Sequence, residues 1–454
     1  MEGPARYRRA FEWRLNRADR ENTITAAAGL TALFSSEMPE VLEDYLQISR
    51  KRRNNRLALA RLQAHLVDEL ISVEAAVGHY RDKKKQLEQV ESKGQHDSQQ
   101  DITKEDLNFV RRELFVWRAI GNVIRSIADG VAWRALDFDR AVLRALCQNR
   151  GSQQITSPGT VDELREWSRQ FDHSGGIAIL NSLTNLLTYG DITVVRNDGS
   201  VEVIEVKRSK TKSSRIVRQK QRTRELVTFL STGRGTLEGK TVEVHTLDIV
   251  PENGLDVLHR LLKQTDSPPG YAATRLSNSA YIECIDFRVA VKDWGGNLAA
   301  QRDSLIFDWR DRKDDVQLNK SLSVLAFSPN LAPFSVFPFD PAVCIDVLTG
   351  AKAYSVFLNV TAVGREFEHR GWQIVTNPSE VFEAGKLDED FMTVRREGFR
   401  VTLPPAAFMR MQMELLRPQV LIQQCELIRG AGRPQAYDSE FNLPVYEHEA
   451  QIWD

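Results

Sequence analysis

Asp191, Glu205 and Lys207 are the residues of this chain whose types and spacing suit them to chemistry. Residues 189–207 read as a two-strand hairpin. Thr193 to Arg196 is β-branched and alternating, Asn197-Asp198-Gly199 is a strong turn signal, and Val201 to Val206 resumes the strand pattern. Side chains alternate faces along a strand, so Glu205 and Lys207 project together while Glu202, Ile204 and Val206 take the other side. Asp191 opens the partner strand near the end where Glu205 and Lys207 close theirs. The spacing predicts two carboxylates and one amine converging at the rim of a small sheet, a set that suits phosphodiester hydrolysis. A hard divalent cation takes oxygen ligands from one or two carboxylates, water and substrate phosphate. So held, it polarises the phosphoryl oxygen and makes hydroxide available near neutral pH. A lysine beside it orients the attacking water and offsets transition-state charge. The competing reading is a solvated hairpin with a surface ion pair worth about 0.5 kcal/mol. Ile204 and Val206, which predict a buried strand face, and Asp191 at hairpin distance weigh against it.

Gly190-Asp191, a hairpin, then Glu205-Val206-Lys207 resembles the PD-(D/E)xK nuclease superfamily, the restriction-endonuclease-like fold, over roughly residues 160–265. The resemblance implies Asp191 and Glu205 as metal ligands, assisted by the Val206 carbonyl, with Lys207 at the attacking water. The implied cofactor is Mg²⁺, with Mn²⁺ as a substitute, and the implied substrate is DNA. The leading proline of the family's name is Gly190 here, a common departure. Members often draw a further acid from a helix upstream. Glu163 and Glu166 lie on a Thr160-capped segment, while Asn181 and Asn185 lie closer to Asp191, and the choice stays open. Some members place a histidine ligand where His173 stands, although a histidine beside Gly175-Gly176 reads more simply as a helix-end residue.

From Lys207 to Arg224 nine of eighteen residues are basic and none is acidic, in a chain with 61 basic and 62 acidic residues. Ser213 or Ser214 would cap a helix running to about Leu230. Its basic arc, Arg215, Arg218, Gln219 and Arg222, is expected beside the carboxylates. An apolar stripe of Ile216, Thr223, Val227 and Leu230 would pack on the hairpin. With Arg208, Lys210 and Lys212, the arc would neutralise backbone phosphates and give salt-sensitive, largely sequence-independent binding. Gln219 or Gln221 would match a glutamine that many members carry on this helix. Gly233 to Thr241 superficially resembles a phosphate-binding loop, but its glycine spacings are wrong and it follows a helix. It reads as a loop, and no ATPase is implied.

The surrounding pattern predicts an apolar helix over 176–187, the hairpin, the basic helix, a strand from about Thr241 to Ile249 and a helix from Leu255 to Lys263. This α-β-β-α-β-α series is compatible with an α/β sandwich but lacks a first strand before Asp191. Upstream, Leu66, Leu70, Val73, Val77 and Tyr80 repeat at three and four, and a capping-box-like Thr103 to Asp106 opens a helix reaching about Ala135. The simplest picture is a long helical hairpin, with Phe115, Trp117, Ile120 and Ile124 as core. Arg50 to Arg53 and Arg56 form a second basic cluster, read as a solvated helix surface. Ser267 to Gly270 reads as a linker. Beyond it come strand-like runs over Ala280 to Val289, Leu322 to Phe327 and Ser355 to Thr361, a helix from Asp340 to Leu348, and Phe334, Phe337 and Phe339 among prolines.

The expected architecture is therefore an α/β restriction-endonuclease-like core (159–266), preceded by an α-helical arm (1–158) and followed by an α+β module (267–454). No stretch reaches the ~18 consecutive apolar residues of a membrane span. Four cysteines without Cys-x-x-Cys spacing argue for a reducing cytoplasm and against structural zinc. The arm or the C-terminal module would serve a protein partner or a second copy of the chain. By architectural analogy, such nucleases often serve bacterial defence against phage or foreign DNA. The alternatives are a non-catalytic nucleic-acid-binding module on the same fold and a protein-interaction module in which the hairpin charges are incidental.

Overall fold

Leu59, Leu62, Leu66, Leu70 and Val73 recur at three- and four-residue spacing and are all buried. They draw a 38-residue helix, Arg56–Lys93 (α2), against a 32-residue helix, Lys104–Ala135 (α3). Val116, Ala119, Ile120, Val123, Ile124 and Ile127 of α3 complete the seam. The predicted helical hairpin is present, with one correction. Phe115 is 43% exposed, because it stands about 100° round the helix from Val116, outside the arc of the seam. The computed structural model describes residues 38–50, 56–93, 104–147, 155, 160–206, 225–237, 240–243, 245–246, 252–290, 317–321, 331–376, 392–403, 405–430 and 441–442.

The fold is mixed α/β, with helices and small antiparallel sheets. Before the hairpin runs Met38–Arg50 (α1), and after it Arg140–Leu146 (α4) and Thr160–His173 (α5). A three-stranded antiparallel sheet follows: Ile177–Leu180 (β1), Ile192–Val195 (β2) and Val201–Ile204 (β3), in that spatial order. Residues 225–232 are helical. Leu226 and Phe229 are buried and Leu230, expected on the apolar stripe, packs against the core beside them, whereas Val227, also expected there, is exposed. Arg234–Leu237 (β4), read from the sequence as loop, pairs as a hairpin with Lys240–Glu243 (β5), which covers the start of the strand expected from Thr241. After the short strand His245–Thr246 (β6), Leu255–Gln264 (α6) packs on a four-stranded sheet of Tyr271–Arg275 (β7), Ala280–Asp286 (β8), Gln317–Ser321 (β9) and Lys352–Asn359 (β10). Residues 322–327, one of the expected strands, lie outside the described residues.

The three regions share one apolar core. Phe334, Phe337 and Phe339 are fully enclosed and pack ring on ring. Arg50, expected on a solvated face, is 8% exposed and donates to the carbonyls of Phe339 (2.5 Å) and Phe337 (2.8 Å). Arg56 donates to the carbonyls of Gly176 (2.5 Å) and Phe171 (2.6 Å). A guanidinium carries five donors and can take several carbonyls at once, so these arginines join segments more than a hundred residues apart. All four cysteines are buried free thiols. No helix among the described residues is long and apolar enough to cross a membrane.

Candidate functional site

The first strand that the sequence seemed to lack is β1. Ile177 to Leu180 is buried on both faces, and a short apolar run without alternation is equally readable as helix. Two devices fix it as a strand. Gly176 lies against the Val195 carbonyl so closely that a Cβ would stand 2.0 Å from that oxygen. The side-chain amide of Gln63, from α2, imitates a neighbouring strand, donating to Ala178 O (3.0 Å) and accepting from Leu180 N (3.1 Å). Trp167 of α5 also donates to Ala178 O (3.0 Å). The free edge of the sheet is thereby closed.

β2 and β3 pair from Val195–Val201 down to Ile192–Ile204. Continued one step, that register sets Asp191 opposite Glu205. The chain departs from the plain ladder at this step. Asp191 N donates to Ile204 O (2.9 Å), and Asp191 Oδ2 accepts from Val206 N (2.6 Å). Asp191 thus grips the backbone on both sides of Glu205. Val206 is half-buried and Glu205 exposed. Like charges on directly opposed residues repel, so a carboxylate pair placed this way favours a cation beside it. The donors on offer, two carboxylates and a backbone carbonyl at Val206, are hard oxygens of the kind Mg²⁺ and Mn²⁺ take. Gly190, just before Asp191, has φ +72°, and a Cβ there would stand 2.4 Å from Val203 Cγ1.

The loop between β1 and β2 carries Asp191 and is bound from outside the sheet. Asn181 donates to the carbonyls of Tyr189 (2.8 Å) and Gly190 (3.2 Å) and accepts from Thr193 Oγ1 (2.9 Å). Thr188 N and Tyr189 N both donate to Leu146 O. Asp129 of α3 accepts from Asn185 N (2.8 Å), Leu186 N (3.1 Å) and Asn185 Nδ2 (3.1 Å), and Arg125 donates to Ser182 O (2.6 Å). Burial pushes the Asp129 carboxyl up to about 7, against the opposing pull of its amide donors and Arg125. Folding therefore retains a proton that the unfolded chain releases near pH 4, and this group's contribution to stability falls as pH rises from about 4 to 7. Denaturant unfolding of wild type and Asp129→Asn across pH 4–8 should show the difference shifting in the variant's favour through that window and then levelling. A constant difference would mean that Asp129 titrates normally.

No family model, curated protein or solved structure matches this chain. The site therefore rests on its own geometry. That geometry brings together Asp191, Glu205 and Val206; Lys207, Arg208, Lys210, Lys212, Arg215, Arg218, Gln219 and Arg222 lie outside the described residues. Of the two upstream acids, Glu166 pairs with Arg169 (2.5 Å) and with Gln170 (2.7 Å) on its own helix. Glu163 is 1% exposed. It stands one turn before Trp167, whose indole donates to the Ala178 carbonyl of β1. Asn181 and Asn185 are engaged in holding the loop. His173 ends α5 with its ring against Arg169 O, as a helix-end residue does.

A second acidic cluster went unnoticed in the sequence because its members are far apart. Asp266, Asp286 and Asp346 bring carboxylates within 4.8 Å of one another. Cations already stand among them. Lys352, 1% exposed, lies 2.5 Å from Asp266 and 3.5 Å from Asp346, and Arg288 lies 2.7 Å from both Asp286 and Asp346. This is a partly buried ion-pair network joining the end of α6 to β8 and β10, with Lys352 and Asp286 enclosed and Asp266 exposed, and with two of three negative charges balanced in place.

Proposed function

We propose that this chain is a metal-dependent nuclease of the PD-(D/E)xK type that hydrolyses DNA phosphodiester bonds. The observation that carries the reading is the grip of Asp191 on the backbone flanking Glu205 at the open end of a β1–β2–β3 meander. Asp191, Glu205 and the Val206 carbonyl would hold Mg²⁺. When bound, the metal supplies charge at the phosphoryl oxygen and lowers the pKa of water. The chain's own residues do the rest. The Val206 N–H fixes one Asp191 oxygen, so the carboxylate is oriented before any ligand arrives. Lys207 adjoins this pair in sequence and would place its ammonium at the attacking water. Glu163 is the favoured upstream acid, because it is buried on the helix that packs against β1, one turn from the Trp167 contact to Ala178. The basic residues from Arg208 to Arg222 would take the phosphates flanking the scissile bond, positioning DNA without reading its sequence.

The test is cleavage of plasmid, linear duplex and single-stranded DNA with Mg²⁺, with Mn²⁺ and with EDTA, for wild type and Lys207→Ala. Metal-dependent cutting lost in the variant is expected. DNA binding without cutting in any condition would favour a non-catalytic module instead. Glu163→Gln should weaken Mn²⁺ binding by about tenfold or more, read by calorimetry. Unchanged affinity would remove Glu163 from the site and leave Asp191 and Glu205 to hold the metal alone.

A further inference from the structure

The loop that delivers Asp191 to the site is held chiefly by the helical region. Its residues 181–190 contain one short 3-10 turn, Asn181–Leu183, and no strand. Arg125 takes the Ser182 carbonyl, Asp129 takes the amides of Asn185 and Leu186 and the Asn185 side chain, and Leu146 takes the amides of Thr188 and Tyr189. Asp129 is 2% exposed and Arg125 6%. Glu74 of α2 holds Arg125 from the other side (3.0 Å). A chain of buried polar contacts therefore runs from α2 through α3 to the loop. Buried charge of this kind gives less net stability than an apolar filling of the same volume, yet removing one member is costly.

We infer that Asp129 is a positioning residue for the metal site: through its three hydrogen bonds to the Asn185–Leu186 segment it sets where the loop delivers Asp191, placing the site under the control of the helical hairpin. The inference rests on the nuclease reading for its consequence and on the loop contacts for its geometry. Asp129 Oδ1 accepts both backbone amides, and an asparagine at 129 would keep an oxygen for them. Alanine would leave two buried amides and the Asn185 side chain without that acceptor. Metal sites lose about 10- to 100-fold in affinity when the groups orienting their ligands are removed, even where the ligands stay.

The experiment compares wild type, Asp129→Asn and Asp129→Ala, each as the full chain and well below its thermal midpoint. Hydrogen exchange of the loop amides is one readout and Mn²⁺ titration calorimetry the other. We expect the alanine variant to exchange Asn185 and Leu186 at least tenfold faster, with Val194 in β2 unchanged, and to bind Mn²⁺ at least tenfold more weakly. The asparagine variant should restore both to within about threefold of wild type. A purely structural role would lower the thermal midpoint without touching the affinity of the folded protein. Wild-type exchange in the loop of Asp129→Ala, or wild-type Mn²⁺ affinity in that variant, overturns the inference. If the alanine variant does not fold, Asn185→Ala replaces it: it removes the side-chain contact alone, and unchanged loop exchange there has the same force. Should wild type bind no Mn²⁺, the nuclease reading fails, and loop exchange alone decides whether Asp129 sets the loop.

Discussion

Asp191→Asn is expected to lower metal-dependent cleavage by about 10³-fold or more, equivalent to ~4 kcal/mol of transition-state stabilisation, while leaving the thermal midpoint close to wild type. The two halves of this expectation have separate causes. The side-chain oxygen of an asparagine still accepts from Val206 N, so the link between the start of β2 and the end of β3 survives. What disappears is the negative charge, and with it the ligand a hard cation prefers. Asp191→Ala removes both. Val206 N then loses its carboxylate acceptor in a half-buried position, and a hydrogen bond to a charged group is worth roughly 1.5–3 kcal/mol. The alanine variant should thus be inactive and measurably less stable, and the asparagine variant inactive alone. Glu205→Gln should share the activity loss with little effect on stability, since Glu205 is exposed. Single-turnover cleavage and thermal unfolding of the three variants check this. Cleavage by Asp191→Asn within tenfold of wild type would move the metal elsewhere on the molecule.

What the sequence made legible was whatever had a period or a turn signal of its own. The β2–β3 hairpin follows from alternation and Asn197-Asp198-Gly199, and α2 and α3 from a sustained three-four repeat. The opposition of Asp191 to Glu205 follows from the hairpin register. β1 was hidden, because Ile177 to Leu180 is apolar at every position and its identity as a strand depends on Gln63, 115 residues away, closing its edge. Of the β4–β5 hairpin only β4 was hidden, for the opposite reason. Residues 234–237 hold a single apolar position, Leu237, and cannot alternate, whereas Thr241 to Glu243 of β5 begin the expected strand. Arg50 and Arg56 read as surface charge in one dimension and as connectors in three, Arg50 buried and Arg56 half-buried. Asp129 gave no signal at all, since an aspartate in a long helix is unremarkable until a loop 56 residues on is found against it.

Gly190→Pro would install the residue that gives the PD-(D/E)xK pattern its first letter, and here it is expected to destroy the site. Gly190 has φ +72°, in the left-handed region, whereas proline is confined near −65°. No rotation of the ring reconciles the two, so the backbone entering Asp191 would have to turn over. Asn181 would then lose its contact to the Gly190 carbonyl (3.2 Å), and the Asp191 carboxylate its approach to Val206 N. Gly190→Ala is the milder form. A left-handed conformation costs an L-residue roughly 1–2 kcal/mol, and the new Cβ would meet Val203 Cγ1 at 2.4 Å and Ile204 O at 3.1 Å. Crowding of this kind adds about 1–3 kcal/mol. Gly199→Ala isolates the first contribution, for Gly199 has φ +82° and nothing within 4 Å of an added Cβ. Thermal unfolding should therefore rank wild type above Gly199→Ala, then Gly190→Ala, then Gly190→Pro, with Mn²⁺ affinity falling only in the two Gly190 variants. A Gly190→Pro protein that melts and binds Mn²⁺ like wild type would mean that the hairpin enters Asp191 along a proline-compatible path, with φ near −65°. The left-handed turn, and the grip on Glu205 that depends on it, would then be wrong.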